Sequence, residues 1–171
     1  MLRYIKNQIN KKRKGVPFNI LIINIIFQKI FRIDSNCNFS KNFTSRIICP
    51  EKIQFSSFAT YKSFAVSGNS YFQACGGIEL GENTIFAHGV TIVSMEHNLD
   101  NISKIGKVGK VKIGKNCWLG AKCTILSGVE LGNNTIVGAN SVVTKSFKDG
   151  NVVIAGVPAT IIKKIVSDLD V

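Results

Sequence analysis

A six-residue repeat between Val111 and Lys148 constrains the fold of this chain more than any other feature. Read from Ile113, the segment divides into the hexads IGKNCW, LGAKCT, ILSGVE, LGNNTI, VGANSV and VTKSFK. Each hexad opens on an aliphatic residue, and Gly commonly follows it. A period of six fits neither the 3.6-residue period of a helix nor the alternation of a single strand. It fits a solenoid in which every hexad supplies one short strand and one corner, where Gly and Asn tolerate left-handed backbone angles.

These hexads resemble the left-handed β-helix of the hexapeptide-repeat acyltransferases. The segment Ala155-Gly156-Val157-Pro158-Ala159 resembles the G-x-P-A sequence that closes the helix in that family, and the resemblance covers residues 78–164. It is greatest to the branch that contains galactoside, maltose, nodulation-factor and polysaccharide O-acetyltransferases. The resemblance implies an all-β fold, a left-handed parallel β-helix, and acetyl-coenzyme A as the acetyl donor.

Composition places the chain among soluble globular proteins of one domain. It has 171 residues, of which 45% are hydrophobic and 19% charged, enough for one real core. Lys and Arg outnumber Asp and Glu by 22 to 10, a net charge of +12. Such a charge attracts anions of many kinds. No nucleic-acid-binding motif accompanies it, so we expect no nucleic-acid partner.

The five cysteines do not form the pattern of a disulfide framework. Their number is odd and no C-x-x-C occurs. Cys117 and Cys123 occupy fifth places of hexads, where the repeat favours a small residue. We interpret the cysteines as small core residues in a reducing cytosol, with neither a disulfide frame nor a metal site. A secretory signal is also not recognised, because the basic start is long and no small-residue cleavage site follows. The expected location is the cytoplasm.

Three segments follow along the chain. Residues 1–33 are basic and then apolar, and we expect a helix from about Phe18 to Phe31. That segment either caps the open first coil, alone or against a neighbouring subunit, or lies on the inner surface of the membrane as a peripheral contact. Residues 34–154 form the β-helix, with irregular coils over 45–73. Residues 155–171 close it, ending in a short helix or tail from residue 159.

A loop interrupts the β-helix near its middle. Ile92 and Ile113 are both first-place residues, yet the number of residues between them is not a multiple of six. The repeat therefore breaks, and residues 97–110 are predicted to leave the solenoid as a polar, glycine-containing loop. Loops thrown out of regular scaffolds commonly carry function.

His97 is the candidate catalytic residue. In the resembled family a histidine that follows V-T-I-x-x-x-x-H at the loop entrance is the general base, and residues 90–97, VTIVSMEH, match this spacing. Imidazole suits the role because its pKa lies near neutrality. His88, at a corner, is interpreted as a solvated or subunit-interface residue. Two histidines cannot supply the three-histidine zinc site of β-helix carbonic anhydrases, so no metal is expected.

The resemblance also implies where acetyl-coenzyme A binds. In the family its groove runs along the solenoid wall between adjacent subunits, which implies a homotrimer with active sites between subunits. Small residues let the pantetheine arm approach the backbone, and lysines offer charge to phosphate. Carried over position by position, the resemblance implies that the cofactor-binding residues are Trp118, Ala121, Ala139, Thr144, Lys145 and Lys163.

The function implied is transfer of acetyl from acetyl-coenzyme A directly to a hydroxyl of a sugar, with His97 as the base. A bacterial surface polysaccharide (capsule or O-antigen) is the preferred acceptor. The alternatives are acetylation of a chloramphenicol-type antibiotic, of serine or of the nitrogen of an amino sugar, and a non-catalytic β-helix that serves as a scaffold.

Overall fold

The computed structural model describes residues 15–165, so the first 14 residues of the predicted N-terminal segment and the end of the closing segment lie outside it. The first half of the β-strands comprises β1 (Arg46–Ile48), β2 (Ile53–Phe55), β3 (Tyr71–Gln73), β4 (Ile78–Leu80), β5 (Ile85–Phe86), β6 (Thr91–Val93), β7 (Met95–His97) and β8 (Ile105–Val108). The second half comprises β9 (Val111–Ile113), β10 (Trp118–Leu119), β11 (Thr124–Ile125), β12 (Glu130–Leu131), β13 (Ile136–Val137), β14 (Val142–Val143), β15 (Val152–Gly156) and β16 (Ala159–Lys164).

These strands form three walls of a β-helix. The first wall has the order β1-β3-β6-β11-β14, the second β2-β4-β9-β12, and the third β5-β10-β13-β15-β16. All pairs within the walls are parallel except β15–β16. Side chains at equivalent corners of successive coils are 18 residues apart, so three hexads make one coil. The predicted fold class, a left-handed parallel β-helix, is confirmed.

The hexad pattern is explained by the core. The aliphatic first-place residues all point inward and are at most 3% exposed: Ile113, Leu119, Ile125, Leu131, Val137 and Val143. Cys117 and Cys123 are likewise buried inside the solenoid, as their fifth places predict. Burial of one aliphatic residue per hexad therefore fixes the register of each wall.

Asparagines form a column along the corner between the second and third walls. Asn83, Asn116, Asn134 and Asn151 have φ between 48° and 59°, a left-handed conformation that Asn tolerates better than most residues. Each side-chain amide hydrogen-bonds the next, with Nδ2–Oδ1 distances of 3.4, 3.3 and 2.7 Å. The column ties together four successive coils.

Helices close the N-terminal end. Helix α1 (Phe18–Ile25) continues into a wider helical turn over Ile26–Ile30, close to the predicted range. A second helix, α2 (Phe58–Val66), takes the place of a third-wall strand beneath β5, and its Thr60 Oγ1 donates to Thr84 O at 2.6 Å. The sequence predicted irregular coil there. The helix places Phe64 inside the solenoid, where its ring lies 4.8–5.1 Å from the rings of four other residues: Phe39, Phe55, Phe72 and Phe86. This aromatic cluster fills the open end of the solenoid.

Two details differ from the sequence interpretation. Residues 159–164 form neither the short helix nor the tail that was predicted: they form β16, which pairs antiparallel with β15 and covers the edge of the third wall. The cysteines are not all free, because Cys49 and Cys75 form a disulfide with Cα atoms 5.3 Å apart. These two residues follow adjacent strands of the first wall at the same corner, where Ala74 N–H donates to Ile48 O at 3.0 Å. The irregular spacing of these coils hid that stacking from the sequence.

Candidate active site

A β-hairpin projects from the corner between the first and second walls. Strand β7 pairs antiparallel with β8, and Gly109 N–H at its base donates to Ser94 O at 3.0 Å. Gly109 O in turn accepts from Gly128 N–H of the next coil at 3.0 Å. The excursion therefore begins at Met95, two residues before the predicted start at His97, and it is a paired hairpin that the coil above it holds in place.

Ser94 anchors the hairpin to the coil below. The residue is 0% exposed. Its Oγ donates to Gln73 O at 2.7 Å and accepts from Gly76 N–H at 2.9 Å. Because these backbone groups belong to the preceding coil, the strand that leads to His97 starts from a fixed point.

The hairpin fixes the backbone of His97 as well. His97 pairs with Ile105, and the neighbouring Gly106 leaves no room for a side chain, since a Cβ there would lie 2.5 Å from His97 O. At the turn, Asn98 Oδ1 accepts from the N–H groups of Asp100 and Asn101 at 2.8 and 2.9 Å. The result is a histidine on an ordered strand next to an ordered turn.

The imidazole of His97 is exposed. Within residues 15–165 no hydrogen bond or ion pair engages its ring. Both ring nitrogens are therefore available to a substrate. A base that is held by its backbone and open at its ring can take a proton from a hydroxyl.

His88 lies at a different corner, between the third and first walls. Its Nε2 is 3.0 Å from Asn69 Nδ2, a contact that sequence reasoning missed. Asn69 has φ of 53°, a left-handed angle that asparagine tolerates. An asparagine at the corner one coil below a corner histidine was therefore the signal in the sequence. His88 is exposed, as predicted for a corner residue.

Two of the predicted cofactor-binding residues stack above His88. Lys122 N–H donates to His88 O, and Asn140 N–H donates to Ala121 O, both at 2.9 Å. His88, Ala121 and Ala139 thus occupy the same corner in successive coils. The small side chains of Ala121 and Ala139 leave no bulky group on the outer surface of this corner above His88.

Trp118 and Lys163 lie on the third wall beside that corner. Trp118 is 50% exposed and pairs with Ile85, which is 43% exposed, and with Ile136. Lys163 of β16 pairs with Val153 of β15. The outer face of the third wall is therefore an apolar strip with a lysine at its end.

Thr144 and Lys145 follow the last strand of the first wall. They lie at the corner that carries the hairpin, where Leu126 N–H donates to Val143 O at 3.1 Å. Lys145 Nζ is 5.8 Å from the centre of the Phe147 ring, and both Thr144 and Lys145 are exposed.

The candidate residues consequently form two groups on opposite edges of the first wall. Trp118, Ala121 and Ala139 come before its strands, whereas His97 and Thr144 come after them. The first group belongs to the third-wall side and the second to the hairpin corner. Within one chain, the parallel strands of the first wall separate the two groups.

The free thiols are poor nucleophiles. Burial raises the pKa of Cys37 to about 11 and that of Cys123 to about 12, and it also raises the pKa of Cys117. At neutral pH all three thiols are protonated and enclosed.

A separate open groove lies at the corner between the second and third walls. Its volume is about 420 Å³, and Phe55, Glu79, Glu82 and Lys115 are among its lining residues. Because none of the predicted site residues lines it, we do not assign the chemistry to this groove. Over residues 15–165 no group of three or more His, Cys, Asp or Glu could hold a metal ion, and no helix there is long and apolar enough to cross a membrane.

Comparison with known proteins gives the class of the molecule. The family model "Hexapeptide repeat of succinyl-transferase" matches residues 110–145. No curated protein matches the chain significantly, whereas 66 chains of solved structures do.

Three of those structures illustrate the likeness. A polysialic acid O-acetyltransferase is 34% identical, with 75% of this chain and 58% of that protein covered and a TM-score of 0.52. A maltose O-acetyltransferase from Clostridium difficile 630 is 30% identical (61% and 62% covered, TM-score 0.47). A hexapeptide-repeat acetyltransferase from Vibrio cholerae O1 biovar eltor, in complex with acetyl-coenzyme A, is 22% identical (74% and 64% covered, TM-score 0.55) and shares the fold. The chain spans less than two thirds of the length of each of these proteins.

The fold, the repeat and the likeness to the polysialic acid O-acetyltransferase define a β-helix protein of the hexapeptide-repeat class. The resemblance to the hexapeptide-repeat acyltransferases that the sequence motifs indicated is confirmed.

Proposed function

We propose that this protein transfers an acetyl group from acetyl-coenzyme A to a hydroxyl of a carbohydrate, with His97 as the general base. The observation that supports this most is the placement of His97: its backbone is fixed by the hairpin, and its ring is exposed beside the β-helix. A scaffold without catalytic function would not need an ordered hairpin that presents an unengaged imidazole.

In the proposed reaction, a ring nitrogen of His97 takes the proton of the acceptor hydroxyl while that oxygen attacks the thioester carbonyl carbon. The carbonyl becomes a tetrahedral oxyanion, which backbone N–H groups near the site would stabilise. Collapse of this intermediate breaks the carbon–sulfur bond. The imidazolium then returns the proton to the departing thiolate, so the products are the acetyl ester and coenzyme A with its free thiol.

Direct transfer is preferred to an acyl-enzyme. An acyl-enzyme would need a nucleophile that is ionised or paired with a base. The buried thiols of Cys37, Cys117 and Cys123 have raised pKa values and face the core. The hydroxyl of the acceptor therefore remains the best nucleophile in this reaction.

The donor site is proposed to lie between subunits of a homotrimer. Trp118 would flank the thioester, Ala121 and Ala139 would admit the pantetheine arm, and Thr144 and Lys145 would follow it, with Lys145 and Lys163 near the phosphates. The support is geometric: in one chain these residues stand on opposite edges of the first wall, and an adjacent subunit could bring the third-wall group of one chain against the hairpin corner of another.

A polysaccharide is the proposed acceptor, made and modified in the cytoplasm or at the inner surface of the membrane. The polysialic acid O-acetyltransferase that is 34% identical over 75% of this chain supports that class of acceptor. A long glycan also suits an open site, because His97 is on a hairpin at the surface and not at the bottom of a closed cavity.

The test is release of thiol from acetyl-coenzyme A across a panel of glycans, free sugars, serine and chloramphenicol. His97→Ala should lower the rate by about 10²–10⁴-fold with coenzyme A still bound. His88→Ala is the matched control, since it removes the other imidazole of the chain from a different corner. An unchanged rate in His97→Ala, or a loss only in His88→Ala, would refute the assignment of the base. No release by the wild type with any acceptor would favour the scaffold.

A further inference from the structure

Helix α1 and the turn that follows it bury amide side chains beside an aliphatic one, and they leave several apolar side chains exposed. The helix buries Leu21 and Asn24, which are 4% and 0% exposed, and the wider turn buries Gln28, which is 3% exposed. Its exposed residues include Ile22 at 37% and, in the wider turn and just after it, Ile30 at 65% and Phe31 at 62%. A helix that only capped a solenoid would turn these other apolar side chains inward as well.

The two buried amides bond to the solenoid. Asn24 Nδ2 donates to Ala65 O and its Oδ1 accepts from Phe43 N–H, both at 3.0 Å. Gln28 Nε2 donates to Phe39 O at 3.0 Å and its Oε1 accepts from Lys41 N–H at 3.3 Å. The open first coil offers unpaired backbone groups, and these side chains satisfy them. The face with Leu21, Asn24 and Gln28 therefore packs on the solenoid, which leaves the apolar side chains of Ile22, Ile30 and Phe31 outside.

Residues around this apolar face are basic. Lys29 and Arg32 are exposed beside Ile30 and Phe31. In sequence, residues 1–33 contain eight Lys and Arg residues and no Asp or Glu, so they carry eight of the twelve net positive charges of the chain. The first acid to follow, Asp34, is already engaged by Lys41 at 3.2 Å and Arg46 at 3.6 Å.

We propose that the outer face of α1 and its following turn, defined by Ile22, Lys29, Ile30, Phe31 and Arg32, docks on an anionic membrane surface. The apolar side chains would enter the boundary between headgroups and acyl chains, and the cations would meet the lipid phosphates. The helix would lie on the membrane and not cross it, since no described helix is long enough to span one.

Charge favours an anionic membrane over a second copy of the chain as the partner of this face. A symmetric contact through the same face would bring Lys29 and Arg32 of the two copies together, and their repulsion opposes such a contact. An anionic bilayer instead offers the opposite charge over a wide area. This inference does not depend on the acetyl-transfer proposal, because it uses none of the residues assigned to that site.

The test is flotation of the full chain with vesicles of phosphatidylcholine and phosphatidylglycerol, and with vesicles of phosphatidylcholine alone. We expect binding to the anionic vesicles that weakens at least tenfold without phosphatidylglycerol or in high salt. The double variant Ile30→Ser/Phe31→Ser should lower binding to the anionic vesicles at least tenfold, because it removes the two most exposed apolar groups of the face.

The matched control is Leu99→Ser/Ile102→Ser, which changes two side chains of the hairpin that are 98% and 77% exposed. It should bind vesicles as the wild type does, and circular dichroism should show both double variants folded. Three results would overturn the proposal: wild-type binding by the helix variant, loss of binding in the hairpin variant alone, or a fall in the sedimentation mass of the helix variant without vesicles, which would make the face a contact between copies.

Discussion

Replacing Ser94 should loosen the base of the hairpin and destabilise the protein. Ser94 is fully buried, and its Oγ is the acceptor for Gly76 N–H at 2.9 Å. Ser94→Ala removes that acceptor, while Gln73 O keeps a second donor, Ser94 N–H at 2.9 Å. One backbone N–H is then left without its partner. Leaving such a group unsatisfied costs about 1–3 kcal/mol.

Ser127 gives a matched control in the same corner, one coil above. It is 1% exposed, and its Oγ is the one buried side-chain polar atom in residues 15–165 that has no hydrogen-bond partner. Ser127→Ala removes a buried hydroxyl that forms no hydrogen bond to offset the cost of its burial. Its free energy of unfolding should therefore stay unchanged or rise by up to about 1 kcal/mol.

Urea titration at one fixed protein concentration measures both changes, since an oligomer's stability depends on concentration. With a slope of about 2 kcal/mol/M, Ser94→Ala should lower the unfolding midpoint by about 0.5–1.5 M. Ser127→Ala should not lower it. Equal losses in the two variants would show that the hydrogen bonds of Ser94 do not hold the corner, and that both effects come from changed packing.

Three further outcomes are expected. Asn134→Ala should destabilise the asparagine column by about 1–2 kcal/mol and Asn134→Gly by less, because Gly keeps the left-handed φ; equal thermal shifts would contradict this. Lys148 and then Lys112 lower the pKa of Glu130 from its ordinary 4.5. The stabilisation that ionised Glu130 gives is therefore fully present above pH 4.5 and is lost as the pH falls through the lowered pKa. Glu130→Gln should flatten the acid limb of a Tm–pH curve, and a parallel curve would refute the pairing. Thiol titration of unreduced, denatured protein should count Cys37, Cys117 and Cys123 only, and five reactive thiols would exclude the Cys49–Cys75 bond.

The regular half of the fold could be predicted because one rule governs it. Each hexad buries one aliphatic residue, and the period alone gives the strands and corners of β9–β14. The closing strand β16 was missed since its pairing depends on the free edge of β15 and not on its own sequence pattern.

The structure of the N-terminal half depends on tertiary contacts that leave no local pattern in the sequence. Helix α2 stands where a strand would continue the repeat, because Phe64 must fill the end of the solenoid. The Cys49–Cys75 bond depends on how two irregular coils stack.

The candidate site, too, could be predicted from the sequence only in part. The position of His97 at a break in the repeat could be predicted from spacing. The hairpin that fixes it could not, because it depends on Ser94 meeting Gln73 and Gly76 of another coil. The Asn69–His88 contact likewise joins two successive coils, at the corner between the third and first walls.

Transfer of labelled acetyl from acetyl-coenzyme A to a purified surface polysaccharide tests the central proposal most directly. We predict that the wild type attaches label as an alkali-labile ester and that His97→Ala attaches at least about 100-fold less in the same time. Label in an alkali-stable amide would contradict transfer to a hydroxyl. Ester formation at an undiminished rate by His97→Ala would contradict the role of that histidine.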